Sequence, residues 1–178
     1  MGQADGTLVN ADDLLPAIAA EPDRSTGAAA ADVDGDGDQD LFIADQGGDQ
    51  EIWLNEGGQF VQFDAGIAGQ NWHGVAGAFG DMDLDGDLDL FTISHYEGPE
   101  LGDGMLTGNM PPGHPDGLYQ NNGDGTFTDV SLQLPAELRG EAFTLAGGWY
   151  DIDGDDEPEL HVINDFGSYT VPNRMLKR

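Results

Sequence analysis

The sequence predicts an all-β fold of short antiparallel strands, and three observations carry that expectation. Glycine supplies 28 of the 178 residues and apolar residues only 38%, a composition that suits short strands and many turns better than a helix-rich globule. One pattern recurs three times, as GAAAADVDGDGDQDLFIAD (27–45), GAFGDMDLDGDLDLFTISH (77–95) and GGWYDIDGDDEPELHVIND (147–165). A second element alternates with it, a tight-turn signal leading into a strand, at 5–9 (DGTLV), 57–61 (GGQFV) and 124–128 (DGTFT).

Each long segment runs small or apolar residues into Asp-x-Asp-x-Asp, then an acid four residues on, then Leu and a β-prone run. That order reads as strand, acidic loop, strand. The runs 51–55 (EIWLN) and 117–121 (GLYQN) read as hairpin partners of the strands that follow the later two turn signals. The repeating unit is therefore four short antiparallel strands, which at this period predicts blades of a β-propeller, about three in number. Loop-to-loop spacing is 49 residues from Asp32 to Asp81 and 70 from Asp81 to Asp151. A Gly- and Pro-rich insertion at 97–116 explains the longer step and is expected to be a loop carrying specialised surface. No long amphipathic helix is expected, and 11–20 supports one or two turns at most.

The whole chain, 1–178, reads as one repeat domain. Its parts are a stray fourth strand at 5–9, repeat 1 at 27–63, repeat 2 at 74–130 and an incomplete repeat 3 at 143–178. Gly6 to Gly125 and Asp32 to Asp151 are both 119 residues apart, so 5–9 occupies a fourth-strand place and 173–178 a third-strand place. Complementary ends predict self-association through shared terminal strands, which would close otherwise open sheet edges.

Charge is distributed unevenly. There are 35 Asp and Glu against 5 Lys and Arg, a net charge of −30, and sixteen of the acids fall within 32–40, 81–89 and 151–159. Clustering of that density is costly without a cation. The same charge argues against nucleic acid and anionic membrane as partners, since both need basic patches. No apolar run reaches transmembrane length, and cysteine is absent.

The acidic loops carry the spacing of an oxygen cage. With position 1 at Asp32, Asp81 or Asp151, positions 3 and 5 are Asp34 and Asp36, Asp83 and Asp85, Asp153 and Asp155, and position 9 is Asp40, Asp89 or Glu159. A tight turn can aim side chains 1, 3 and 5 at one point, with a carbonyl from position 7 and a carboxylate from position 9. Six to eight oxygens in adaptable geometry select calcium, whereas zinc would want the His and Cys these loops lack. Asp favours turns without any metal, but three such loops in phase with flanking strands go beyond that. An EF-hand needs an acid at position 12, where Ile43, Thr92 and Val162 stand inside strands. Position 6 should tolerate positive φ; Gly37 and Gly86 suit it and Asp156 does so at a cost, so the third of three expected sites ranks weakest.

The pattern Asp-x-Asp-x-Asp-Gly-x-x-Asp-Leu between strands, with LYQNNGDGTFTDV (118–130) after it, resembles the FG-GAP/VCBS-type repeats of integrin α-subunit propellers. With NDFGSYTVPNRML (164–176) it is similar more narrowly to the ASPIC/UnbV and cartilage-acidic-protein group. The resemblance implies a calcium-stabilised propeller, typically extracellular, in which Asp38, Asp87 and Glu157 supply main-chain carbonyls. The implied role is adhesion, protein interaction or assembly, with a glycan-binding propeller or an accessory domain of a larger secreted enzyme as alternatives.

Catalysis is not expected. His73, His95, His114 and His161 lie in no HExxH pattern, and neither GxSxG nor a P-loop occurs. His95 and His161 read as turn or strand-end residues. Trp53 and Trp149 read as core or inter-blade packing.

Overall fold

The computed structural model describes residue 10 and residues 25–67, 73–96, 98–167 and 170–178. The expected strand at 5–9 and the segment 11–20 lie outside these. Among the described residues eleven strands form three sheets, all antiparallel. The first is β1 (Ser25–Ala31), β2 (Asp40–Asp45), β3 (Glu51–Asn55) and β4 (Phe60–Phe63), in that spatial order. The second is β5 (Gly74–Gly80), β6 (Asp89–Ser94), β7 (Gly117–Asn121) and β8 (Phe127–Asp129). The third places β10 (Glu159–Asn164) between β9 (Thr144–Tyr150) and β11 (Arg174–Leu176). The meander order and the stacking of successive sheets are those of propeller blades.

The insertion departs from the expected loop. Pro99–Thr107 form a helix, α1, closed by Gly108 at φ 75°, whose N–H bonds Gly104 O. Proline in the first turn and a left-handed glycine after the last turn are the ordinary boundary signals of a helix, but they lie in a Gly-rich stretch that reads as irregular. Two 3-10 turns, Ser131–Gln133 and Ala136–Arg139, lead from β8 towards β9.

Two cores hold the sheets together, one on each side of the middle sheet. Phe42, Ala44, Ile52 and Leu54 of the first sheet meet Leu90, Tyr119 and Phe127 of the second. Phe91, Ile93 and Leu118 on its opposite face meet Leu160 and Val162 of the third. Strand alternation therefore sends odd and even residues of β6 into different cores, and every residue of that strand is buried.

A single packing device repeats at both interfaces. Phe42 and Phe91 each stand two residues after the last acid of an Asp loop, and both are fully buried. A Cβ on Gly77 would lie 2.5 Å from the Phe42 ring, and one on Gly147 would lie 2.8 Å from the Phe91 ring. Each ring thus fills the space that a glycine in the next sheet's first strand leaves open. Burial of each such ring contributes about 1.5–3 kcal/mol. Trp149 packs into the second core and donates its indole N–H to Ala78 O at 3.3 Å, the inter-blade role its position suggests.

Candidate metal centres

Each Asp loop joins the first strand of a sheet to the second, so all three lie at the same end of their sheets. Position 1 organises the turn from inside. Asp32 accepts the N–H groups of Gly35 and Gly37 at 2.9 and 3.0 Å. Asp81 accepts those of Asp85 and Gly86, both at 3.1 Å. Asp151 accepts those of Gly154, Asp155 and Asp156. Position 6 has positive φ in all three loops, at Gly37 (95°), Gly86 (99°) and Asp156 (67°).

Carboxylate oxygens of Asp32, Asp34 and Asp36 lie within 4.8 Å of one another, as do those of Asp81, Asp83 and Asp85, and those of Asp151, Asp153 and Glu159. At that separation two like charges repel by on the order of 1–4 kcal/mol, depending on solvent screening. In the first two loops no lysine or arginine among the described residues answers this repulsion. Asp83 Oδ1 is also buried, with no hydrogen-bond partner among the described residues. This donor set, three clustered carboxylates and no nitrogen or sulfur, fits a hard divalent cation.

Position 9 is doubly engaged in the first two loops. Asp40 accepts Val33 N–H and Asn55 N–H, both at 2.8 Å. Asp89 accepts Met82 N–H at 2.8 Å and Asn121 N–H at 2.9 Å. These carboxylates brace the loop against the third strand, and their oxygens lie outside the tight groups of positions 1, 3 and 5. Burial raises both pKa values, Asp89 to about 6, against the pull of the backbone N–H groups. Asp38 and Asp87 continue the turns, their N–H groups bonding Asp36 and Asp85, as Glu157 N–H bonds Asp155.

The third strand of the second sheet is tied to the first loop as well as to its own. Asn121 Nδ2 donates to Val33 O of the first loop at 2.8 Å and to Leu88 O at 3.2 Å, and Gln120 Nε2 donates to Asp83 Oδ2 at 2.6 Å. The third loop receives an ammonium from Lys177, whose hydrogen bond holds the Asp155 carboxyl below its usual range. Sequence spacing alone gave no signal for these tertiary ties.

At the opposite end of the sheets the structure gathers three histidines from separate segments. The His73 and His114 rings are 4.7 Å apart, Tyr96 stacks on His114 at 5.5 Å, and His95 N–H bonds His73 O at 2.9 Å. Desolvation, with the neighbouring His73 and His95, holds the His114 pKa down. The three imidazoles do not bring ligand atoms within 4.8 Å; among the described residues only the Asp loops do so. His161 lies apart, in β10.

Residues 32–92 match the family model described as an FG-GAP-like repeat. The matched stretch begins at the first carboxylate of the first loop, takes in the whole second loop and ends within β6; the third loop falls outside it. No curated protein matches the chain.

Proposed function

We propose, from an FG-GAP-like repeat whose two Asp loops each cluster three uncompensated carboxylates, that this chain is a calcium-stabilised propeller module for protein interaction. The observation that carries the reading is the approach of positions 1, 3 and 5 to within 4.8 Å in both loops, with no lysine or arginine among the described residues paired to them. Calcium there would be held by Asp32, Asp34 and Asp36, and by Asp81, Asp83 and Asp85. It would lock the turn between the first two strands of each sheet. Main-chain oxygens of Asp38 and Asp87 and the carboxylates of Asp40 and Asp89 complete the set that the resemblance implies.

Partly exposed carboxylate loops suit modest affinity and millimolar calcium, which supports a location outside the cell. The carboxylates are accounted for by the metal, so the module binds rather than catalyses. Self-association belongs to the same reading. β11 is an open edge of a three-stranded sheet among the described residues, and a terminal strand from a second copy would pair with it. The test is a calcium titration of the chain followed by its melting temperature, with particle mass measured in parallel. Binding of calcium with a rise in melting temperature supports the module, and mass above the monomer supports association. A melting temperature indifferent to calcium removes the calcium reading, and a monomer that persists on concentration removes the association.

A further inference from the structure

The ion pairs of the third loop set it apart from the other two. Lys177 Nζ lies 2.8 Å from Asp153 Oδ2 and 3.4 Å from Glu159 Oε1, and it also bonds Asp155 Oδ2. Those residues are positions 3, 9 and 5 of the loop, so the chain's own cation stands among the oxygens that would face an ion. Glu159 Oε1 is buried and makes no hydrogen bond. The corresponding oxygens of Asp40 and Asp89 accept the N–H groups of Asn55 and Asn121. The Glu159 oxygen has turned instead towards the ammonium.

Strand register makes the comparison between loops strict. The residue after position 9 pairs with Trp53 in the first sheet (Leu41), Tyr119 in the second (Leu90) and Leu176 in the third (Leu160). The next residue along each third strand is therefore structurally equivalent: Leu54, Gln120 and Lys177. Leu54 belongs to the apolar core and offers its loop nothing. Gln120 gives a neutral N–H to Asp83 Oδ2 while Asp83 Oδ1 stays unpartnered, so a cation can still be received. Lys177 supplies a full positive charge at the same place.

We propose that Lys177 is a tethered counter-ion that fills the third loop and excludes a divalent cation from it, leaving two calcium sites in the chain where three loops are present. This rests on the calcium reading of the first two loops. The physical basis is competition: calcium in the third loop must displace an ammonium already among the carboxylates, or sit beside it against like-charge repulsion. The lysine comes from the fold itself and loses no translational freedom when it binds, whereas a free ion does. The expectation of a third, weakest site becomes a site closed from within.

The experiment counts bound calcium by equilibrium dialysis on the whole chain and on two reciprocal variants, K177Q and Q120K. At calcium that saturates the first two loops, wild type should bind two ions, K177Q three and Q120K one. Three ions on wild type with affinities within about threefold of one another would overturn the exclusion while leaving the calcium reading standing. An unchanged count in K177Q would overturn it as well. No calcium on wild type would instead remove the reading beneath it, and a metal-free arm then judges the tether by itself. In EDTA, K177Q should melt at least about 2 °C below wild type, and an unchanged melting temperature there overturns the tether.

Discussion

Leu84 holds φ 63° at the fourth position of the second Asp loop, where the other two loops place Gly35 (77°) and Gly154 (80°). For a residue with a Cβ this conformation costs roughly 1–2 kcal/mol, and the exposed Leu84 side chain offers little burial in return. The Leu84→Gly variant should therefore gain up to about 1 kcal/mol, read as a higher melting temperature in EDTA, where no ion imposes the loop conformation. Asp116 is the opposite case, a buried carboxyl beside Thr144. Thr144 Oγ1 lies 2.6 Å from Asp116 Oδ2 and 2.9 Å from Asn164 Oδ1, yet a hydroxyl has one proton to give. A protonated Asp116 donating to Thr144, which donates to Asn164, satisfies all three groups. Burial accordingly pushes the Asp116 pKa up to about 7, against the Thr144 and Ser94 hydrogen bonds. A folded pKa above the unfolded one stabilises below about pH 4, and that contribution is lost as pH rises through 7. Asp116→Asn, which mimics the protonated form, should flatten the fall in stability between pH 4 and 8 seen by denaturant melts. An unaltered slope would reject the assignment. Neither residue announced itself in the sequence, since Leu at position 4 matches no turn preference and Asp116 reads as one more acid in a polar insertion.

Among the elements, the sheets were legible because their signals are local. The EIWLN and GLYQN runs are β3 and β7, and turn glycines Gly57 and Gly58 have positive φ between β3 and β4. Helix α1 was not legible, because Gly102 and Gly104 weaken a nine-residue segment whose only clear signals are at its ends. Lys177 could not be assigned to the third loop either, since it reaches Asp153 across 24 residues through a strand pairing that composition does not encode. The Phe-to-Gly contacts needed the register of two sheets at once. They carry an elemental prediction: Gly77→Ala forces the Phe42 ring out of its place and should cost about 1–3 kcal/mol, as overpacking of a filled core does. Ala28, in the first strand of the first sheet and not packed in either core, should tolerate Val with a change under about 0.5 kcal/mol. Urea titrations of the two variants would check the contrast. At the loops, Asp85→Ala removes the position-5 carboxylate of the second proposed calcium site, whereas Asp155→Ala removes one of three carboxylates around Lys177. Melting in calcium should fall further for Asp85→Ala, and equal losses would contradict the difference between the loops.

For the whole molecule the governing quantity is the net charge of −30, much of it on three loops at one end of the sheets. On the proposed function, two calcium ions would neutralise the densest uncompensated clusters, and Asn121, reaching from the second sheet to Val33 O of the first loop, joins those loops across the first core. Loss of either ion should then weaken the contact between sheets as well as a single turn. Mass action gives about 2.7 kcal/mol per site when calcium stands 100-fold above its dissociation constant. EDTA should therefore lower the melting temperature by on the order of 10 °C for two sites at the 2–4 °C per kcal/mol expected of a chain this long. Salt separates this charge mechanism from simple loss of a folded loop. If repulsion among uncompensated carboxylates is what chelation releases, raising ionic strength from 0.01 to 0.15 M shortens the screening length from roughly 30 to 8 Å. That change should restore part of the lost melting temperature in EDTA while changing the calcium-loaded protein little. Differential scanning calorimetry across the four conditions decides it: a salt effect of equal size with and without calcium would show that the ions act through loop geometry alone.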